Sequence, residues 1–193
     1  VAAAVILPPE CWLAGLNDSK KVSPRERERL EVLIKERALA WGIGEAEPAE
    51  IDQYNIYQAT RLAMVRAVEA LPSPPDYLLL DAMTLPLPLP QEPIVKGDAK
   101  VACISAASIL AKTRRDRLMV SWDERYPAYG FSRHKGYPTA SHRQAVIELG
   151  PCPIHRRSFL GFVQRAKAEA ARAKVADAAA AEAVDKDRRQ KDK

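Results

Sequence analysis

Apolar positions along this chain fall into two rhythms that alternate with each other. Val1 to Leu7 is a continuous apolar run stopped by Pro8 and Pro9, which predicts a strand. A polar loop, LAGLNDSKKVSPRE, then leads into a helix. Ser23 is placed as its N-cap, Pro24 as its first residue, and Glu26 as the partner of a capping box. Leu30, Leu33, Ile34, Ala38 and Trp41 form a helical stripe that Gly42 ends. Ile43 to Ala46 predicts a short strand. Pro48 to Leu71 predicts a second helix with Ile56, Ala59, Ala63, Ala67 and Ala70 inward, closed by Pro72, Pro74 and Pro75.

Tyr77 to Leu80 reads as a strand buried on both faces, ending in Asp81. The LPLPLPQEP segment cannot be a central strand, because proline has no N–H to give to a ladder. It predicts an extended loop or edge hairpin returning to Ile94 and Val95. Gly97 permits a tight turn carrying Asp98. From about Ala102 to Val120 there is neither Gly nor Pro, and a long helix follows. On it Ser105, Ser108, Lys112, Arg115 and Asp116 recur every three or four residues as one polar stripe. Tyr126 to Pro138 is a loop of aromatics and cations, Thr139 caps a helix through Leu149, and 159–184 is Ala-rich and helical. Strands alternating with helices predict an α/β domain. The expected division is a domain over 1–150, a helical region over 151–184, and a disordered charged tail over 185–193.

Charge sharpens this picture. The chain of 193 residues carries a net charge of +5, and residues 96–143 hold ten Lys/Arg against four Asp/Glu. A basic segment on an otherwise acidic body suits a phosphate-rich partner. No run approaches the ~20 apolar residues of a membrane span. Three widely spaced cysteines argue against a disulfide framework and for a reducing, cytoplasmic compartment. Cys152-Pro-Ile-His155 has metal-like spacing, but no second pair completes a zinc site.

Asp81 and Asp98 each end an apolar strand. Brought together without a partner, two carboxylates repel, and a divalent cation removes that penalty. Asp116, among Arg114, Arg115 and Arg117, reads better as a structural ion pair than as a third ligand. Asn17 to Lys21 offers phosphate contacts or an ordinary surface turn. In the loop HKGYPT, Tyr137 offers a stacking platform, with His134 and Lys135 toward phosphate, or else covers the core. His142 and His155 read as structural.

Taken together, LNDSKKVSPRERERL, IDQYNIYQATRLAMVRAV, YLLLDA, VKGDAKVACISAASILAKTRRDRLM, HKGYPTASHRQAV and HRRSF resemble bacterial ribonuclease HII in the family's order, over roughly residues 1–162. The resemblance implies a ribonuclease H-like mixed sheet flanked by helices, with a helical C-terminal appendage. It implies a monomeric endonuclease that needs Mn²⁺ or Mg²⁺. Such an enzyme cuts the RNA strand of RNA–DNA hybrids and incises 5′ of ribonucleotides in duplex DNA, leaving 5′-phosphates in replication and repair. Asp81 and Asp98 match the family's metal ligands, and Tyr137 matches the tyrosine that packs on deoxyribose beyond the RNA–DNA junction. Asp18, Ser19, Lys20, Ser108 and Lys112 fall in motifs that line the substrate groove. The family's Asp-Glu-Ala-Gly-Arg-Gly motif, with two further carboxylates and the loop that reads the ribose 2′-hydroxyl, is absent. The expectation is therefore a longer parent protein that is active. If the chain is complete, weak catalysis and an open sheet edge at Val1–Leu7 are expected.

Overall fold

The structure, a computed structural model, describes residues 1–11, 13–173 and 175–176. Strand β1 (Ala2–Ile6) pairs antiparallel with β2 (Ala40–Gly44), in the register Ala4 opposite Gly42 and Val5 opposite Trp41. Helix α1 (Pro24–Arg37) joins them. The Ser23 hydroxyl accepts the Glu26 N–H at 3.3 Å, but the Glu26 carboxylate turns to Arg29 at 2.9 Å, so only half of the capping box forms. The helix also ends earlier than its stripe predicts. Ala38 caps it, and Trp41 belongs to β2, because the Leu39 N–H bonds the Ile6 carbonyl at 2.8 Å and strand pairing takes over from there.

Helix α2 (Pro48–Glu69) buries Ala59, Ala63 and Ala67 against β2. The approach is close enough that a Cβ on Gly44 would lie 1.9 Å from the Ala63 carbonyl oxygen, so only glycine fits there. Ile56 is exposed rather than inward, because the helix breaks at Asn55, where φ is 67°. The Asn55 side chain restarts the helix by accepting the Tyr57 and Gln58 N–H groups at 2.9 and 3.1 Å.

Strands β3 (Leu78–Asp81) and β4 (Gln91–Ile94) pair in parallel, so the Pro-rich segment is a crossover and not a hairpin. Its Leu85 is buried with Leu78 and Leu80 against Met64, Val65 and Val68 of α2. The Gln91 amide stitches the loop down, with Oε1 accepting the Leu85 N–H at 2.7 Å and Nε2 reaching the Leu85 carbonyl at 3.0 Å. Leu79 is 38% exposed, so β3 is covered on one face only.

After β4 come a single helical turn, α3 (Gly97–Lys100), and the long α4 (Ala102–Arg125). The left-handed residue of this turn is Lys96, at φ 58°. Gly97 is closely packed instead, since a Cβ there would lie 2.6 Å from the Ile104 Cδ1 and push that side-chain end aside. Leu30 and Ile34 of α1 and Ala106, Ile109 and Leu110 of α4 form the main core over β1 and β2. The aromatic loop holds a short helix, α5 (Phe131–His134), and Thr139 caps α6 (Ala140–Leu149) by accepting the His142 N–H at 3.2 Å. Residues 161–173 are helical. The end of the expected C-terminal helix and the charged tail over 185–193 lie outside the described residues.

Among the described residues each strand has one partner, and the mixed sheet stands as two pairs. Between β1 and β3 runs an open groove of about 1100 Å³, flanked by α2 and α4, with Asp81 and Asp98 in its wall. Residues of β1 line this groove.

Candidate nucleic-acid and metal site

Parallel pairing sets Asp81 opposite Ile94. The chain leaves β4 and turns at once, and the Gly97 N–H donates to the Asp81 Oδ1 at 3.0 Å. The next residue is Asp98, so Asp81 bonds the backbone immediately before it, and both residues line the groove. Asp98 is held from two sides. Its carbonyl accepts the Ser105 hydroxyl, and its Oδ2 faces the Lys20 ammonium at 4.0 Å. The Asp98 side chain is 13% exposed and that of Lys20 is 76% exposed. Ser105 is thereby buried under the turn and is not part of a solvent-facing stripe.

The Asn17–Lys21 loop docks on α4 through buried polar contacts. The Ser19 hydroxyl bonds the Ser108 hydroxyl at 2.8 Å, and Asp18 makes an Asx turn by accepting the Lys20 N–H at 2.9 Å. Beneath them lies Arg27, which the sequence reading missed. Its Nη1 donates to the Ser19 and Val22 carbonyls at 2.9 and 2.7 Å, and its Nη2 to the Asp116 Oδ2 at 3.1 Å. Lys112 closes on the Asp116 Oδ1 at 2.5 Å. Asp116 is thus a structural ion pair, as expected, but with different partners. Arg114 pairs with Glu45 and Arg117 with Glu31, because side chains one or two apart on a helix point away from each other. An arginine in a helical stripe whose neighbours are all charged is the only signal that pointed to Arg27.

Two turns along α4, the half-exposed Tyr137 ring lies between Lys112 Nζ at 5.3 Å and Arg115 Cζ at 5.2 Å. The Arg115 Nη1 also donates to the Lys135 carbonyl at 3.0 Å, fixing the turn that carries the ring. Two neighbours differ from expectation. His134 is buried and reaches the Tyr129 carbonyl at 2.9 Å, and the Lys135 ammonium donates back to the Ser132 carbonyl at 2.7 Å. Both satisfy the loop's own backbone, which a left-handed turn at Lys135 brings within reach. Asp52 of α2, also unpredicted, clamps the HRRSF turn by accepting the Arg157 and Ser158 N–H groups at 2.7 and 2.9 Å. In that turn Arg156 stacks on Phe159 at 4.0 Å, and burial and the nearby Arg115 pull its guanidinium below the usual arginine range.

Two carboxylates at a groove suit a hard divalent cation, which takes one or two carboxylates and fills its shell with water and phosphate oxygens. Asp81 keeps one oxygen free of the Gly97 bond. Among the described residues no group of three His, Cys, Asp or Glu side chains is placed to hold a metal. Asp81 and Asp98 are the carboxylates of the groove wall that could hold such a cation.

The family model for ribonuclease HII matches residues 1–161. Ribonuclease HII of Syntrophotalea carbinolica is 55% identical over 162 residues, covering 83% of this chain and 78% of the relative. That of Moorella thermoacetica is 57% identical over 159 residues, 82% and 77%. The Geobacillus kaustophilus protein is 55% identical over 159 residues, and the match spans only 61% of its length. Among solved structures, the ribonuclease H2 of Pyrococcus horikoshii superposes with a TM-score of 0.63 at 24% identity, over 78% of this chain and 81% of that one. A chain in the PCNA:RNase HII complex of Archaeoglobus fulgidus gives 0.59 at 20%, over 74% and 76%. These likenesses establish the ribonuclease H-like fold. No described helix is long and apolar enough to cross a membrane.

Proposed function

The chain belongs to the ribonuclease HII family, and from that premise we propose that it is an endonuclease acting on RNA–DNA hybrids and on ribonucleotides embedded in duplex DNA. The observation that supports this reading is the bond from the Gly97 N–H to Asp81 at the end of a parallel strand pair, next to the turn where Asp98 faces Lys20, with both carboxylates lining one groove. A bound Mn²⁺ or Mg²⁺ supplies Lewis acidity and an activated water. Asp81 and Asp98 are the residues that hold it. Lys20, 4.0 Å from Asp98 and largely in solvent, is placed to meet the phosphate that reaches the ion. Ser19, Ser108 and Asp18 act by holding that loop in place. Lys112, Arg115 and Tyr137 take the strand further along, the cations on phosphates and the ring on a sugar or base face. Cleavage on the 5′ side of the ribonucleotide, with 5′-phosphate ends, is part of this proposal.

A duplex with one ribonucleotide and a 5′ label tests it in Mn²⁺. The expected product is a single nick 5′ of the ribonucleotide, lost in Asp81→Asn while duplex binding persists. Equal cleavage by Asp81→Asn would refute the assignment of the site. A second reading, favoured by the two-carboxylate donor set, is a nucleic-acid-binding chain with impaired catalysis. It predicts no nick from the chain as given, with binding that falls steeply with salt. Adding the family's acidic glycine-arginine segment ahead of Val1 would then restore the nick.

A further inference from the structure

Lys112, Arg114, Arg115 and Arg117 follow one another closely on α4, and all but Arg115 have a carboxylate partner among the described residues. Lys112 is 2.5 Å from Asp116, Arg114 is 2.7 Å from Glu45, and Arg117 is 2.6 Å from Glu31. The Arg115 guanidinium instead donates to the Lys135 carbonyl at 3.0 Å and lies 5.2 Å from the Tyr137 ring. Its charge is left without an opposite one.

The HRRSF turn brings a second such arginine toward the same place, and two sets of contacts fix that turn. On the Tyr137 side, the His142 Nδ1 donates to the Tyr137 carbonyl at 2.9 Å, and the His142 and His155 Nε2 atoms lie 3.1 Å apart. On the α2 side, the Asp52 Oδ2 accepts the Arg157 N–H at 2.7 Å. The Asp52 Oδ1 accepts the Ser158 N–H at 2.9 Å and the Ser158 hydroxyl at 2.5 Å. Arg156 sits between these ties, directly after His155 and before Arg157. Its guanidinium stacks on Phe159 at 4.0 Å and makes no hydrogen bond or ion pair among the described residues. Asp52 is the carboxylate nearby, but its oxygens are spent on the N–H and hydroxyl groups of the turn. Burial first, and then the charge of Arg115, pull the Arg156 guanidinium below the usual arginine range, with Asp52 opposing them.

We propose that Arg115 and Arg156 together take one backbone phosphate beside the Tyr137 ring, and that Asp52 is a positioning residue that holds the turn presenting Arg156. The proposal rests on the reading of the chain as one that acts on ribonucleotide-containing duplexes, and it adds Arg156 and Asp52 to the residues serving that substrate. Two guanidiniums held near each other in partial burial repel, and an anion between them removes the cost. A phosphodiester suits the pair, because the planar fork of each guanidinium matches two phosphate oxygens. Asp52 gives the idea a distinctive sign. A carboxylate close to a bound phosphate repels it, so loss of its charge alone would tighten binding. Loss of its hold on the turn would weaken binding.

Anisotropy of a fluorescent duplex with one ribonucleotide, in EDTA and over a series of NaCl concentrations, reads affinity and its salt slope for the full chain. Arg156→Gln is expected to bind about tenfold more weakly, the size of one charge-assisted hydrogen bond. It should also flatten the log–log salt slope by about one. Arg156→Lys keeps the slope and recovers part of the affinity, because the charge remains and the planar fork is gone. In Asp52→Asn one end of the amide sets N–H against N–H, so the clamp opens and binding weakens by a similar factor. Added to Arg156→Gln, Asp52→Asn costs less than about twofold more, because Asp52 acts through Arg156. Unchanged affinity and slope in Arg156→Gln overturn the phosphate role. Tighter binding by Asp52→Asn, or losses that add in the double variant, overturn the positioning role. If Asp52→Asn does not fold, Ser158→Ala, which removes the hydroxyl bond alone, replaces it in the same cycle, with a smaller loss and the same lack of additivity expected. Wild type that does not bind the duplex refutes the proposed function and this inference with it. Binding that Tyr137→Ala weakens and Arg156→Gln does not refutes the two-arginine clamp alone.

Discussion

Removing the Asp116 carboxylate, as in Asp116→Ala, strands two cations in a poorly solvated place. Arg27 and Lys112 have side chains only 9% and 17% exposed, and Asp116 itself is 17% exposed. Breaking a buried ion pair from one side costs about 3–5 kcal/mol, because the remaining charge keeps its desolvation penalty without its partner. Arg27 retains two carbonyl acceptors at 2.9 and 2.7 Å, and Lys112 can swing toward solvent along α4. Both place the expected loss at the low end, about 3 kcal/mol. Urea unfolding followed by circular dichroism, with linear extrapolation, measures it. The m-value should stay constant, since the fold and its buried area do not change. The loss should also survive high salt, because a buried pair is screened far less than an exposed one. A change below about 1 kcal/mol would place the trio with surface ion pairs and refute the argument. The same variant should loosen the Asn17–Lys21 loop, because Arg27 is what fastens that loop to α4.

Three further outcomes are expected. Gly44→Ala should destabilise by more than the ~1–3 kcal/mol of ordinary overpacking, read as a fall in melting temperature, because its Cβ would meet backbone oxygen at 1.9 Å. Unfolding free energy should fall as pH drops below the ordinary histidine value of 6.5, because folding depresses the His142 and His155 titrations and the unfolded chain takes up protons first. The slope is at most about 1.4 kcal/mol per pH unit for each histidine, and it should vanish in the double variant His142→Asn, His155→Gln in urea melts at pH 7.5, 6.5 and 5.5. Tyr137→Ala should weaken duplex binding about 10- to 100-fold by anisotropy, the equivalent of about 1–3 kcal/mol for one stacked face.

Much of the architecture can be read locally. Ser23 and Thr139 cap the helices they were expected to cap, and the apolar run before Asp81 is a strand that ends there. Pro93 lies in β4, which has a single partner among the described residues, in keeping with the reasoning that bars proline from a central strand. These signals act within about one turn or one strand, so the residues themselves carry them. The resemblance extended that reach by naming Asp81 and Asp98, which in the structure line one groove, with Asp81 bonded to the N–H of the residue before Asp98.

Other features depend on segments distant in sequence. Trp41 follows a helical rhythm, yet it lies in β2 because β1 offers a ladder there. Ile56 carries the period of a buried stripe, but the break at Asn55 rotates it into solvent. Arg27, Asp116 and Lys112 find one another across 89 residues of chain, and no spacing rule links them. The three histidines come together only when α5, α6 and the turn after it converge. Sequence alone determined the starts of α1 and α6 and the strand that ends at Asp81, because capping, periodicity and backbone sterics are short-range. The tertiary structure alone decided which charges neutralise each other and where the groove opens, because those depend on what burial brings into contact.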